Sequence, residues 1–143
     1  MSPGGCEFCE GTGGAVLWQN ALCRVVLADE PAFPGFCRVI LARHVRETTD
    51  LQPAERAKLL AVVFAVEEAV RETMRPDKVN VASLGNVVPH LHWHVVPRFH
   101  DDSHFPSPVW CAPRREAPVP AERRARAAVL GDAVNARLAA LER

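Results

Sequence analysis

The chain has 143 residues, 48% of them hydrophobic, which is enough for one core and too few for two comfortable domains. Seventeen basic and seventeen acidic side chains cancel, so no general field attracts nucleic acid or an anionic membrane, and any partner must be recognised locally. The opening MSPGGCEFCEGTGG has no basic segment followed by an apolar run, and nowhere do 18 apolar residues adjoin; the expectation is a soluble, cytoplasmic protein.

Along the chain, Cys6-x-x-Cys9 comes first, spaced as a chelating pair. Five cysteines in all, an odd number, fit reduced thiols or metal ligands better than a disulfide framework. Residues 15–18 (AVLW) and 22–28 (LCRVVLA) predict two short strands joined by a turn at Gln19, Asn20 and Ala21. Residues 29–36 (DEPAFPGF) must be loop, and 37–42 (CRVILA) predict a third strand, with His44 just beyond its end. From Pro53 to Met74 the apolar residues Leu59, Leu60, Val63, Val66, Val70 and Met74 recur at intervals of three and four, predicting an amphipathic helix with Pro53 in its first turn and Pro76 past its end. A strand over 78–84 (KVNVASL) follows, then Gly85 and Asn86 as turn residues, then PHLHWHVVPRF, whose Pro89 sets the start of the last strand at His90. Residues 100–120 should be irregular. A C-terminal helix is expected from Ala121 onward, with Gly131 interrupting its apolar stripe.

Strands gathered around one long helix imply an α+β domain with an antiparallel sheet. It spans 1–143, with its core over about 6–110 and a helical C-terminal extension over about 111–143. In the last strand, His90, His92 and His94 share one face, presented at the surface, while Leu91, Trp93 and Val95 point into the core. One histidine there would be unremarked; three in strict alternation, half of the chain's six, are not chance. Two chemistries want such a row. Neutral imidazoles can converge on zinc and leave a coordination position for water, or one imidazole can attack phosphorus to give a labile covalent adduct.

PHLHWHVV matches the histidine triad pattern, His-φ-His-φ-His-φ-φ with φ apolar, at every position. The chain resembles the histidine triad (HIT) family over roughly residues 6–98, through CEFC, VILARH ending at His44, the helix, and LGN ahead of the triad. The resemblance implies a HIT-like fold with a five-stranded antiparallel sheet, one long helix and a C-terminal helix. It also implies a homodimer and a hydrolase or nucleotidyltransferase acting on nucleoside phosphoramidates, dinucleoside polyphosphates or related adenylates, with no organic cofactor. It makes His92 the nucleophile that forms a nucleotidyl-histidine, places His94 beside the phosphate and leaving group, and sets His90 and His44 behind the nucleophile. Asn86 stands where the family has glutamine, one methylene shorter, and is assigned to the phosphate. Asn80 and Ser83 are further phosphate candidates. Asp29 is the candidate ribose ligand, with an ordinary turn aspartate as the alternative.

In bacterial members that resemble this chain, the cysteine pair binds structural zinc with two histidines, which implies a Cys6, Cys9, His44, His90 site here; vestigial reduced thiols are the alternative. Cys23 and Cys37 are expected as small core residues, and Cys111 carries no motif. The run His100, Asp101, Asp102, His104 is expected to be solvated loop, with Phe105 and Trp110 bordering the active site or a partner subunit. Arg123, Arg124 and Arg126 are expected on a solvated helix face. Two other readings remain open: a zinc hydrolase using all three strand histidines as ligands, and a nucleotide-binding sensor with little turnover.

Overall fold

The computed structural model of the chain describes residues 4–143. Met1 to Pro3, part of the opening stretch read above for a leader, lie outside them. Five strands, β1 (Ala15–Gln19), β2 (Cys23–Leu27), β3 (Cys37–Leu41), β4 (Lys78–Ala82) and β5 (His92–Arg98), form one antiparallel sheet in the order β1-β2-β3-β5-β4. The last strand is therefore interior, hydrogen-bonded to β3 on one side and β4 on the other. A four-residue helix, α1 (Glu7–Glu10), and a 3₁₀ turn at Thr48–Asp50 were not expected. The long helix α2 (Pro53–Met74) and the C-terminal α3 (Ala121–Leu141) were.

Local chemistry accounts for most boundaries. Asn20 makes the β1–β2 turn by accepting the N–H groups of Leu22 and Cys23 on its side-chain oxygen, each at 2.9 Å. Helix α2 starts with Pro53 as its first residue and a capping box between Gln52 and Glu55. It stops at Arg75, which takes the left-handed conformation ahead of Pro76. Strand β5 begins at His92, two residues later than expected. His90 and Leu91 run alongside the turn that follows β3, where the Leu91 N–H donates to Val45 (2.7 Å) and the Leu91 carbonyl accepts from Leu41 (3.1 Å).

One face of the sheet packs on α2. Val25, Val39, Leu41 and Val95 are fully buried there against Leu59, Val63, Val66 and Val70, with Leu91 beside them and Trp93 partly buried at the margin. Val62 joins the buried stripe, whereas Leu60 is only half-buried. Cys23 and Cys37 belong to this core, and burial pushes each thiol up to about 12, so neither is a thiolate at neutral pH. Helix α3 packs on α2 and adds Leu130, Val134 and Leu138 to the same core. Gly131 does not break this helix. A β-carbon there would sit 3.4 Å from Leu17, an ordinary van der Waals contact, so Gly131 faces β1 without being required by the packing. Leu17 lies at the register shift in β1, and Asn135 donates to its carbonyl at 2.9 Å.

The loop after β5 is exposed at His100 and Asp101, as expected, but not at Asp102. Asp102 is buried and meets the buried Arg98 through two parallel hydrogen bonds of 2.9 and 3.1 Å. Asp102 also accepts the N–H groups of Phe99, His104 and Phe105, while Arg98 donates to Asn80 and to the Ser107 carbonyl. The arginines opening α3 are likewise engaged: Arg123 pairs with Asp101 at 2.6 Å and lies over the Phe99 ring, and Arg126 donates to the Met74 carbonyl at the end of α2. Among the described residues no helix is long and apolar enough to cross a membrane.

Burial alone would raise the Asp102 pKa, but Arg98 and the three backbone N–H groups outweigh it and hold the carboxyl at about 2. Because the folded value lies below the ordinary carboxylate value, the stabilisation is complete above about pH 4 and is lost as pH falls through about 2. Asp102→Ala strands a buried guanidinium and three backbone N–H groups and should cost about 3–5 kcal/mol in urea unfolding at pH 7.

Candidate active site and metal centre

The face of the sheet away from α2 carries Arg24 and Val26 on β2, Arg38 and Ile40 on β3, and His92, His94 and Val96 on β5. Register places Ile40 opposite His92 and Arg38 opposite His94. Alternation puts the imidazoles on one face as the sequence predicts, but they are not surface. His90 is fully buried, and His92 and His94 are 6% exposed. The cover comes from segments whose position no spacing reveals: Phe8 of α1 meets the His92 ring edge-on at 4.8 Å, and Phe36 and Trp110 flank His94 at 5.6 and 4.9 Å. Phe105 instead lies against His100 and over Arg98.

Two arginines hold that cover down. Arg24 donates to the carbonyls of Phe8, Gly11 and Thr12, and Arg38 donates to that of Gly13 at 2.9 Å. Gly14, at φ +149°, then leads into β1; a β-carbon there would collide with the Leu27 carbonyl. Neither arginine carried a sequence motif. Their alternation with Val26 and Ile40 on strands already read as apolar was the one available signal.

The imidazoles are held in different ways. His92 donates from Nδ1 to the backbone carbonyl of His90, 2.6 Å away, which leaves the Nε2 lone pair free. The Ser83 hydroxyl donates to the His92 carbonyl at 2.6 Å. Burial lowers the pKa of His92, and Arg38 lowers it further, so the ring is neutral at pH 7. His94 is pushed down to about 3 by burial first, then by His92 and Arg38. Its buried Nδ1 has no hydrogen-bond partner, so no neighbour fixes which nitrogen carries the proton.

His90 turns the other way. Its Nε2 donates to the Leu41 carbonyl at 2.7 Å, which leaves Nδ1 unprotonated and facing the cysteine pair. The Nδ1 lies 3.4 Å from both Cys6 Sγ and Cys9 Sγ, and His44 Nδ1 lies 3.5 Å from Cys9 Sγ. All four ligand atoms fall within 4.8 Å of one another. A tetrahedral zinc with bonds of about 2.3 Å to sulfur and about 2.05 Å to nitrogen puts neighbouring S and N atoms about 3.5 Å apart, so this cluster fits a metal ion. The His90–Leu41 bond is the outer contact that orients a metal-binding imidazole. Among the described residues this is the cluster that meets a metal's needs. The three strand histidines do not converge in the same way: His90 turns Nε2 to the Leu41 carbonyl and Nδ1 to the cysteines, away from His92 and His94.

The remaining sequence candidates divide. Asn86 is exposed on the loop before β5, and Asp29 is exposed just beyond β2. Asn80 shares the triad face but gives its side-chain oxygen to Arg98 at 2.7 Å.

A family model described as the HIT domain matches residues 12–101. Among curated proteins, the AP-4-A phosphorylase of Mycobacterium tuberculosis is 34% identical over 98 residues, 64% of this chain and 50% of the relative. The asymmetrical bis(5'-nucleosyl)-tetraphosphatase of Schizosaccharomyces pombe is 29% identical over 91 residues, 60% of this chain and 50% of the relative. The chain thus spans about half the length of the curated relatives it matches. Among solved structures, a histidine triad protein from Marinobacter aquaeolei superposes with a TM-score of 0.72 at 29% identity, covering 91% of this chain and 94% of its own. A zinc-bound histidine triad family protein from Mycobacterium smegmatis gives 0.66 at 24% identity, covering 95% and 97%. The family model accounts for well over half of the sequence, including every strand and the whole triad, and the chain belongs to the HIT domain family.

Proposed function

We propose that the protein is a nucleotide hydrolase or transferase that acts at the α-phosphate of dinucleoside polyphosphates, nucleoside phosphoramidates or related adenylates, with His92 as nucleophile. The observation that carries this reading is the 2.6 Å hydrogen bond from His92 Nδ1 to the His90 carbonyl, which aims an unprotonated Nε2 away from the strand. The Nε2 lone pair attacks the α-phosphorus and forms a P–N bond while the bridging bond to the leaving group breaks. The leaving group keeps the bonding pair: a polyphosphate departs as its anion and an amine takes its proton from water, with the neutral His94 beside it as a hydrogen-bonding neighbour. Water, or an acceptor such as inorganic phosphate, then attacks the phosphorus. The P–N bond breaks, and a nucleotide is released. The AP-4-A phosphorylase and the tetraphosphatase among the relatives support this class of substrate.

Substrate contacts fall to Asn86, on the loop leading into β5, for the phosphate and to Asp29 for the ribose. Ser83 gives its hydroxyl proton to the His92 carbonyl and positions the strand, whereas Asn80, its oxygen held by Arg98, keeps its amide N–H groups for a phosphate oxygen. His92→Asn should lower kcat/KM by at least about 10³-fold with the unfolding midpoint unchanged. Acid or base quenching of wild type mixed with diadenosine tetraphosphate should trap a nucleotidyl adduct at His92. Full turnover by the variant refutes the covalent route.

Cys6, Cys9, His44 and His90 would hold a structural zinc. Two thiolates and two neutral imidazoles make an electroneutral site with the dication, and they tie α1 to the sheet behind the nucleophile. Purified protein should carry one zinc per chain by elemental analysis. Exhaustive chelation, or Cys6→Ser, should lower the unfolding midpoint by roughly 6–15 °C, as a loss of about 2–4 kcal/mol does at this size. Strand β4 leaves one edge of the sheet unpaired among the described residues. Pairing of two copies there would give the homodimer, which light scattering should report as twice the 15.7 kDa chain mass.

A further inference from the structure

The two imidazoles on β5 have unlike neighbours across the sheet. Ile40 stands opposite His92, whereas Arg38 stands opposite His94. The Arg38 guanidinium lies 5.4 Å over the Phe36 ring, and Phe36 in turn packs edge-on against His94. Its hydrogen bonding is incomplete: Nη1 donates to the Gly13 carbonyl, Nη2 lies 4.0 Å from the half-exposed Glu30, and the buried Nε has no partner. Arg24 differs, since both its Nε and its Nη2 are engaged by carbonyls of the covering segment. One cation on this face thus straps the cover through two of its nitrogens, and the other, its side chain 21% exposed and opposite His94 in register, makes one hydrogen bond to that cover.

We propose that Arg38 is a specificity-determining residue that selects an anionic polyphosphate leaving group over an amine. The proposal rests on the reading of His92 as nucleophile and His94 as its neighbour on the leaving-group side. The sign of the charge decides the preference. A nucleoside polyphosphate gains negative charge as its bridging oxygen departs, and a fixed guanidinium stabilises that charge in the transition state. A phosphoramidate nitrogen must gain a proton to depart, and a nearby cation opposes that gain. Lysine would keep the charge but lose the planar fork that can serve the Gly13 carbonyl and a phosphate oxygen together.

The test compares kcat/KM for diadenosine tetraphosphate and for adenosine 5'-phosphoramidate in wild type, Arg38→Gln and Arg38→Lys, with Arg24→Gln as the strap control. Arg38→Gln should lose about 10²–10³-fold on the tetraphosphate and less than about tenfold on the phosphoramidate, and Arg38→Lys should recover part of the difference. Arg24→Gln should instead lower both together, along with the unfolding midpoint. Equal losses on the two substrates in Arg38→Gln would reduce Arg38 to a second strap and overturn the proposal. If wild type turns over neither substrate, the catalytic reading fails and calorimetry with ATP and AMP decides for Arg38. The ratio of ATP to AMP affinity should fall by about tenfold or more in Arg38→Gln, and an unmoved ratio overturns the proposal.

Discussion

The hydrogen bond between His92 Nδ1 and the His90 carbonyl joins two centres that are otherwise chemically unrelated. His90 has both ring nitrogens and its carbonyl in use: Nε2 toward Leu41, Nδ1 toward Cys6 and Cys9, and the carbonyl toward His92. Moving any one of these shifts the other two. The residue can serve this way because it lies just before β5, where the chain is extended yet free of regular ladder pairing, so its carbonyl is available to a side chain. Had β5 begun at His90, regular pairing would compete for that carbonyl.

A buried row of imidazoles under a folded-back segment is an electrostatic choice as well as a packing one. Burial disfavours the imidazolium, and Arg38 adds to that effect for both His92 and His94. Neutral rings avoid the high cost of unpaired charge in a buried site, and the neutral imidazole is the form with a lone pair to offer. The cover is itself held by cations, Arg24 and Arg38, whose donors satisfy backbone carbonyls that the short α1 and the glycine-rich stretch after it leave exposed. The same few residues therefore cover the triad, close the Cys6, Cys9, His44 and His90 cluster and set the charge beside it.

Period and punctuation made much of this legible. The three-and-four spacing from Leu59 to Met74 gave α2, Pro53 and Pro76 gave its limits, and strict alternation from His90 to Val95 gave the facing of the triad. Cys6-x-x-Cys9 with His44 and His90 was legible only through resemblance, because the four come from three separate segments that spacing alone cannot bring together. Hidden altogether were facts set by what lies on top of an element. Alternation says which face a histidine takes and not what covers that face, so the imidazoles were expected at the surface. Asp102 looked like solvent-facing loop because its partner, Arg98, closes a strand whose pattern had already been read as apolar and imidazole. Arg38 and Arg24 were hidden in the same way.

The two edges of the sheet are treated differently, and that difference constrains how the molecule can grow. At β1, α3 packs alongside, and Asn135 donates to the Leu17 carbonyl at the irregular register, so this edge is bent and capped. At β4 no comparable cover is present among the described residues, and the strand is five residues of extended backbone beside β5. The C-terminal extension thus closes the edge remote from the triad strand and leaves open the edge next to it. Any strand added to this sheet would lie one strand away from His92 and His94. Association at that edge would then act on the frame of the active site through β4, where Ser83, just past the strand's end, holds the His92 carbonyl and Asn80 holds Arg98.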